Sequence, residues 1–317
     1  MIRFLLKLVP NTLILFFFIL PFSFAQDLAP TDTLKDWNFG GTGTVNFSQV
    51  SLSNWAAGGQ SSVSVLGIAN VFANYSKGHN TWNNSLDITY GTLKLENQRF
   101  RKSDDKLELN LKYGHQASEK WFYTGQLNLR TQLSPTYTPE RDSILSDFFV
   151  PAFVLASLGM DYKPNDKLSI FISPVTGKFT IVRSQRLADL GAFGVEPAAI
   201  DVEGRRIPGT GERLRKEFGG FVNIRYREEI LQNVIFQSKL DLFSNYLRNP
   251  QNVDVNWENL VNFKVNKLIS ASLFVHMIYD DDININIPQE EAGLPDKKGP
   301  RLQVKQTLGI GLSYSFK

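Results

Sequence analysis

From Leu302 to Phe316 alternate positions are Leu302, Val304, Gln306, Leu308, Ile310, Leu312, Tyr314 and Phe316, and between them lie Gln303, Lys305, Thr307, Gly309, Gly311, Ser313 and Ser315. Successive side chains of a strand point to opposite faces, so the segment predicts a ribbon with one apolar and one polar side, closed by aromatics. That pattern suits a barrel whose outside meets lipid and whose inside meets water. Twelve such segments are predicted, at about 39–52, 61–76, 81–97, 106–117, 121–134, 153–163, 167–182, 216–229, 234–247, 255–265, 268–281 and 301–316. Each is close to the roughly 9 to 11 residues that a tilted membrane strand needs.

Connection lengths add independent support. Short turns are expected at Lys77–Asn80, Ser118–Lys120, Pro164–Asp166, Ile230–Asn233 and Val265–Lys267. Longer loops are expected at Ser53–Gln60, Gln98–Asp105, Pro135–Ala152, Gln185–Arg215, Arg248–Asp254 and Asp282–Pro300. Alternation of short and long connections predicts an all-β, transmembrane, antiparallel up-and-down barrel of about 12 strands, with periplasmic short turns and long extracellular loops. Tyr75, Trp82, Tyr113, Trp121, Tyr123, Tyr162, Tyr226, Phe263, Tyr314 and Phe316 fall on apolar faces near the short turns. Aromatic side chains favour the membrane boundary, so these residues predict a periplasmic girdle.

The amino terminus supplies a route to such a membrane. Arg3 and Lys7 precede an apolar core from Leu13 to Leu20, and Ser23-Phe24-Ala25 offers a small-x-small cleavage site. The expected organisation is a signal peptide at 1–25, a short periplasmic segment at 26–36 and the barrel at 37–317. The expected location is the outer membrane of a Gram-negative bacterium after cleavage near Ala25. Barrel-insertion machinery and periplasmic chaperones are expected partners during assembly, and outer-membrane lipid and lipopolysaccharide afterwards.

Composition excludes several chemistries. The chain has no Cys, which removes disulfides, thiol catalysis and thiolate metal sites. Its 34 basic and 31 acidic residues come nearer to balance once Arg3 and Lys7 leave with the signal peptide, so bulk charge gives no basis for nucleic-acid binding. No nucleotide loop, zinc motif or other cofactor-binding motif appears, and no cofactor is expected.

The segment from Trp37 to Tyr90 carries a distinctive run: Ser48-Gln49, then Leu52-Ser53-Asn54-Trp55-Ala56-Ala57-Gly58-Gly59, Asn74-Tyr75, and Trp82 leading to Leu86-Asp87 and Tyr90-Gly91. It resembles an uncharacterised barrel family of the Bacteroidetes, called domain of unknown function 3078. The resemblance continues in Gly191-Ala192-Phe193-Gly194, Tyr279-Asp280-Asp281-Asp282 and the closing strand. It implies location and architecture, with no substrate or catalytic residue.

Inward faces are expected to carry Asp87, Glu108, Lys112, Arg130, Arg225, Lys239, Asp241, Glu258, Lys264 and Lys305, together with Arg227 and His276. Lone charges in a confined lumen are costly, so opposite charges should pair across strands or stay hydrated. Arg186, Arg205, Arg206, Arg213 and Arg215 give the longest loop a basic character at both ends, suited to a positive constriction or to lipopolysaccharide phosphates. Asp280, Asp281 and Asp282 with Glu290 and Glu291 offer oxygen ligands but no complete calcium-loop signature, and no metal site is assigned. Lipid hydrolysis would need a Ser beside a His base on the lipid-facing side. His79, His115 and His276 lack that placement, so no catalytic residue is assigned and the chain reads as a non-enzyme. The sequence points to a channel or binding barrel for small polar solutes. A non-conducting structural or surface-binding barrel, engaging lipopolysaccharide or a partner protein, is the alternative, and a lipid hydrolase comes last.

Overall fold

The computed structural model describes residues 36–51, 60–96, 98–138, 143–266, 268–283, 285–287 and 297–316. The expected signal peptide, residues 26–35 of the segment after it, the motif from Leu52 to Gly59, Glu290, Glu291 and Lys317 lie outside the described residues.

Among the described residues there are sixteen strands: β1 Trp37–Val50, β2 Ser62–Lys77, β3 Asn80–Leu95, β4 Arg101–Gln116, β5 Trp121–Thr131, β6 Thr136–Tyr137, β7 Ile144–Ser146, β8 Ala152–Asn165, β9 Leu168–Ile181, β10 Leu214–Leu231, β11 Val234–Asn245, β12 Asp254–Lys264, β13 Ile269–Tyr279, β14 Ile285–Ile287, β15 Lys297–Gly299 and β16 Gln303–Phe316. Twelve of them close into one antiparallel barrel in the order β1-β16-β13-β12-β11-β10-β9-β8-β5-β4-β3-β2. The two short ribbons β6-β7 and β14-β15 stand in extracellular loops, and a one-turn helix α1, Gln185–Asp189, begins the longest one.

The alternation places its apolar set outside. Leu308, Ile310, Leu312 and Tyr314 of β16 are exposed on the barrel exterior, while Gln303, Lys305, Thr307 and Gly309 turn inward and are half-buried. At the short-turn end the girdle is continuous between strands: Trp37 contacts Tyr75 and Trp82, with ring centroids 5.2 and 6.4 Å away, and Trp121 contacts Tyr162 at 4.8 Å. An apolar band ringed by aromatics is the exterior of a membrane-spanning barrel.

Closure brings β1 against β16, pairing Gly41 with Phe316 and Asn46 with Gly311. Glycine is required at this seam because a Cβ on Gly41 would lie 2.6 Å from the Asn70 carbonyl oxygen and 2.7 Å from the Phe316 ring. Closure also removes both sheet edges, which would otherwise leave backbone groups unpaired in lipid.

One expected loop is shorter than the pattern suggests. The pattern predicts a connection at Gln98–Asp105, yet β4 starts at Arg101. The run Arg101-Lys102-Ser103-Asp104-Asp105-Lys106 has no apolar alternation, and tertiary partners hold it extended. Lys102 Nζ donates to Asp105 Oδ2 at 2.7 Å, Gln132 Oε1 at 2.9 Å and the Ser134 carbonyl at 2.6 Å. Asp105 in turn accepts from the backbone N–H groups of Leu133 and Ser134 at 2.8 and 2.9 Å, which ends β5 three residues before the expected boundary.

Candidate functional site: the charged lumen

The inward faces of β4, β11 and β12 meet across the barrel. Lys239 Nζ on β11 donates to Glu108 Oε1 on β4 at 2.6 Å. Lys106 Nζ, two residues from Glu108 on the same face, lies 3.4 Å from Glu108 Oε2 and 3.3 Å from Glu258 Oε1 on β12. β4 and β12 are six strands apart in either direction around the ring, so this last pair spans the barrel interior. Asn128 Nδ2 donates to Glu108 Oε1 at 2.8 Å, and His276 on β13 joins Asn256 Oδ1 at 2.6 Å with its Nε2 3.9 Å from Glu258. Buried charges are tolerated when paired and hydrogen-bonded in this way. The result is a latch of two lysines and two glutamates across the lumen.

Further ion pairs lie toward each mouth. On the extracellular side Lys178 donates to Asp254 Oδ2 at 2.7 Å and lies 3.6 Å from Glu217, Arg215 bridges Glu217 and Asp282, and Lys305 meets Asp104. Toward the short turns Lys112 Nζ pairs with Asp161 Oδ2 at 2.8 Å, and Lys163 approaches the same oxygen at 3.4 Å.

The lumen also holds an apolar element that alternation alone does not announce. Phe171 of β9, Phe221 of β10 and Phe243 of β11 are buried together, with Leu155 packed against them. Lumen cations rest on such rings: Lys112 lies 5.0 Å from the Phe171 centroid, Lys178 4.8 Å from Phe243, and Arg130 5.1 Å from Phe153. A ring face attracts a cation more strongly where water is excluded. The available signal is a break in alternation, since Ile170-Phe171-Ile172, Phe221-Val222 and Leu242-Phe243 place apolar residues on both faces.

Of the expected lumen residues, Glu108, Lys239, Asp241 and Glu258 come together at the latch, with Lys239 Nζ 3.7 Å from Asp241. Asp87 accepts from Asn70 at 2.6 Å, while Lys264 sits exposed at the periplasmic end of β12. Lys106, Asp161, Lys163 and Lys178 were not among the candidates. The expected arginines of the longest loop take separate positions. Arg186 bonds the Ile144 carbonyl, Arg205 lies 3.2 Å from Asp201, Arg206 is exposed, Arg213 accepts the Val182 N–H through its carbonyl, and Arg215 belongs to β10. Val150, Val182, Leu187, Ala188 and Val195 form a small core beneath this loop. Among the described residues no group of three His, Asp or Glu side chains forms a metal site.

Comparison with curated proteins finds no match. The chain is similar to an outer membrane channel from Pseudomonas putida F1, at 10% identity, with 88% of this chain and 94% of that chain covered and a TM-score of 0.38. It is similar to the translocator domain of the autotransporter NalP from Neisseria meningitidis, at 9% identity over 88% and 87% of the two chains, with a TM-score of 0.33. The outer membrane channel DcaP of Acinetobacter baumannii is similar at 9% identity over 88% and 95%, with a TM-score of 0.30. A family profile described as "Protein of unknown function (DUF3078)" matches residues 47–137, so that across the end of β1, all of β2 to β5 and β6 this chain carries the sequence pattern of that family.

Proposed function

We propose that this outer-membrane barrel is closed to through-passage at rest by its latch and passes small polar solutes only when the latch opens. The observation that carries the reading is the 3.3 Å approach of Lys106 to Glu258 from opposite sides of the ring. Two long side chains that meet across a lumen leave little free section for hydrated ions, and their rotamers offer a means of opening. Planar-bilayer recording on refolded protein tests this. The intact barrel should be nearly silent with brief openings, and the Lys106→Ser, Glu258→Ser double variant should give steady conductance steps. A steady open pore from the intact protein, or silence from the folded double variant, would reject the latch.

A surface-binding role is favoured by a second observation. The tip of the longest loop is held by Asp201, which accepts from the N–H groups of Glu203 and Arg205 at 2.9 and 2.8 Å, and it presents Ile200, Val202 and Arg206 to solvent. Loss of lipopolysaccharide binding on changing Arg205 and Arg206 to Glu would support that role, and unchanged binding would dismiss it. Export by a cleaved leader belongs to the same proposal, and sequencing the mature amino terminus should find Gln26 first.

A further inference from the structure

Arg225 differs from most of the cations inside the barrel. Lys106, Lys112, Lys163, Lys178, Lys239 and Lys305 each lie within ion-pair distance of a carboxylate, and Arg130 lies over Phe153. Arg225 is inward on β10, opposite Ser169 of β9 and Lys239 of β11. Its Nε is buried, and among the described residues no acceptor meets it. A buried N–H without an acceptor is unfavourable, so this position suits an acceptor brought by a ligand.

The surroundings specify that acceptor. Lys112 Nζ donates to Ser169 Oγ at 3.4 Å, and Ser169 is the cross-strand neighbour of Arg225. Ser169 donates to Asp161 Oδ1 at 2.7 Å, and Asp161 is the carboxylate that Lys112 and Lys163 share. Lys112 and Lys163 thus share a single counter-charge next to the serine opposite Arg225, with Arg227 following two residues on along β10 toward the periplasmic mouth. A planar fork beside an ammonium suits an oxyanion. Two buried amide oxygens on inward faces, Oε1 of Gln126 and Oδ1 of Asn223, also have no donor among the described residues. Gln126 is directly opposite Lys112, and Asn223 precedes Arg225 by two residues on its face. A monohydrogen phosphate group has both parts needed: oxygens for the cations and a hydroxyl for an orphaned oxygen.

We propose that Arg225 and Lys112, with Gln126 and Asn223, form a phosphate-binding site in the periplasmic half of the lumen, for the free hydrogen phosphate ion. The site does not depend on the latch being a gate, because opening the latch leaves these four residues in place.

Isothermal titration of the refolded full-length barrel at constant ionic strength tests this with inorganic phosphate, sulfate and glycerol 3-phosphate as probes. Phosphate should bind saturably, and sulfate, which has the charge but no hydroxyl at neutral pH, should bind at least tenfold more weakly. Arg225→Met should weaken phosphate binding tenfold or more, and Arg225→Lys should fall between, which guards against loss through misfolding. The Lys106→Ser, Glu258→Ser variant should bind as the parent does. Glycerol 3-phosphate, mainly a dianion without a P–OH at neutral pH, should also bind more weakly than phosphate, and equal binding would overturn the assignment to the hydrogen phosphate ion. Absence of saturable phosphate binding to the folded parent, equal binding of sulfate, or parental affinity in Arg225→Met would overturn the proposal.

Discussion

Lys239 on β11 and Glu108 on β4 join at 2.6 Å although 131 positions separate them in the chain. Glu108 is almost wholly shielded, its side chain 4% exposed, and it also accepts from Asn128 and faces Lys106. Replacing it by Gln leaves two lysines without their shared charge, and a cost of about 3 to 5 kcal/mol is expected for breaking such a pair. The Glu108→Met, Lys239→Met double variant should lose much less than the sum of the two single changes, because each partner's main penalty is then removed. Urea unfolding in detergent, followed by tryptophan fluorescence, reads both numbers. Strictly additive losses would show that the two residues are uncoupled.

The two faces of β16 should respond differently to charge. Ile310 is 66% exposed toward lipid, and Ile310→Arg near the midplane should cost about 2 to 4 kcal/mol. Thr307, on the inward face, should tolerate Ser with little change. Equal loss of heat-modifiable gel migration for the two variants would contradict the assignment of faces.

The carboxyl-terminal seam should control assembly. Gly41 pairs with Phe316 and has no room for a side chain, so Gly41→Val should prevent closure. Joint replacement of Tyr314 and Phe316 by Ser should deplete the outer membrane of barrel. Quantitative blotting of membrane fractions checks both, and normal levels of either variant would contradict the role given to the seam.

The longest loop should loosen in acid. Asp189 accepts from the Gly209 N–H at 2.9 Å, from the Gln185 side chain at 2.8 Å and from the Gly211 N–H at 2.9 Å. These donors, Gly209 first, hold its carboxyl below the usual carboxylate range. A depressed native pKa stabilises the loop fully above the unfolded value, and that contribution disappears as pH falls through the native one. Hydrogen exchange at Gly209 and Gly211 should therefore show protection at neutral pH that is lost in acid, apart from the intrinsic pH dependence of exchange. In Asp189→Asn the loop should be less protected at neutral pH and lose that extra acid sensitivity, and an identical pH response in parent and variant would remove the clamp.

Topology can be read by single cysteines, since the chain has none. A membrane-impermeant maleimide should label Val202→Cys in the longest loop on intact cells and leave Ser118→Cys, in a short turn, unlabelled. The reverse pattern would invert the barrel.

Strand count, faces and girdle were legible in the sequence because each follows from pleating: a residue's side is decided by its parity along its own strand. Trp82 and Tyr113 could be placed on one outer rim before any pairing was known, and the register then sets them side by side. Parity also put Glu108, Lys239 and Glu258 inside. It could not say that they meet, because distance across a lumen depends on the number of strands and the stagger with which they close, and neither is written in any one strand. Lys106 shows the difference. It stood at the edge of an expected strand and was not a candidate, yet closure brings it to Glu258. The inward phenylalanines escaped for a related reason: in Ile170-Phe171-Ile172 both faces are apolar, and only the packing of Phe171 against Phe221 reveals which of them is core. The start of β4 and the fold of the longest loop were likewise tertiary decisions, made by Gln132 and Ser134 for Lys102 and by Gly209 and Gly211 for Asp189. Local chemistry determined that this chain forms strands with an oily and a wet side, while closure of the ring chose which charges face one another and, among the described residues, left Nε of Arg225 without an acceptor.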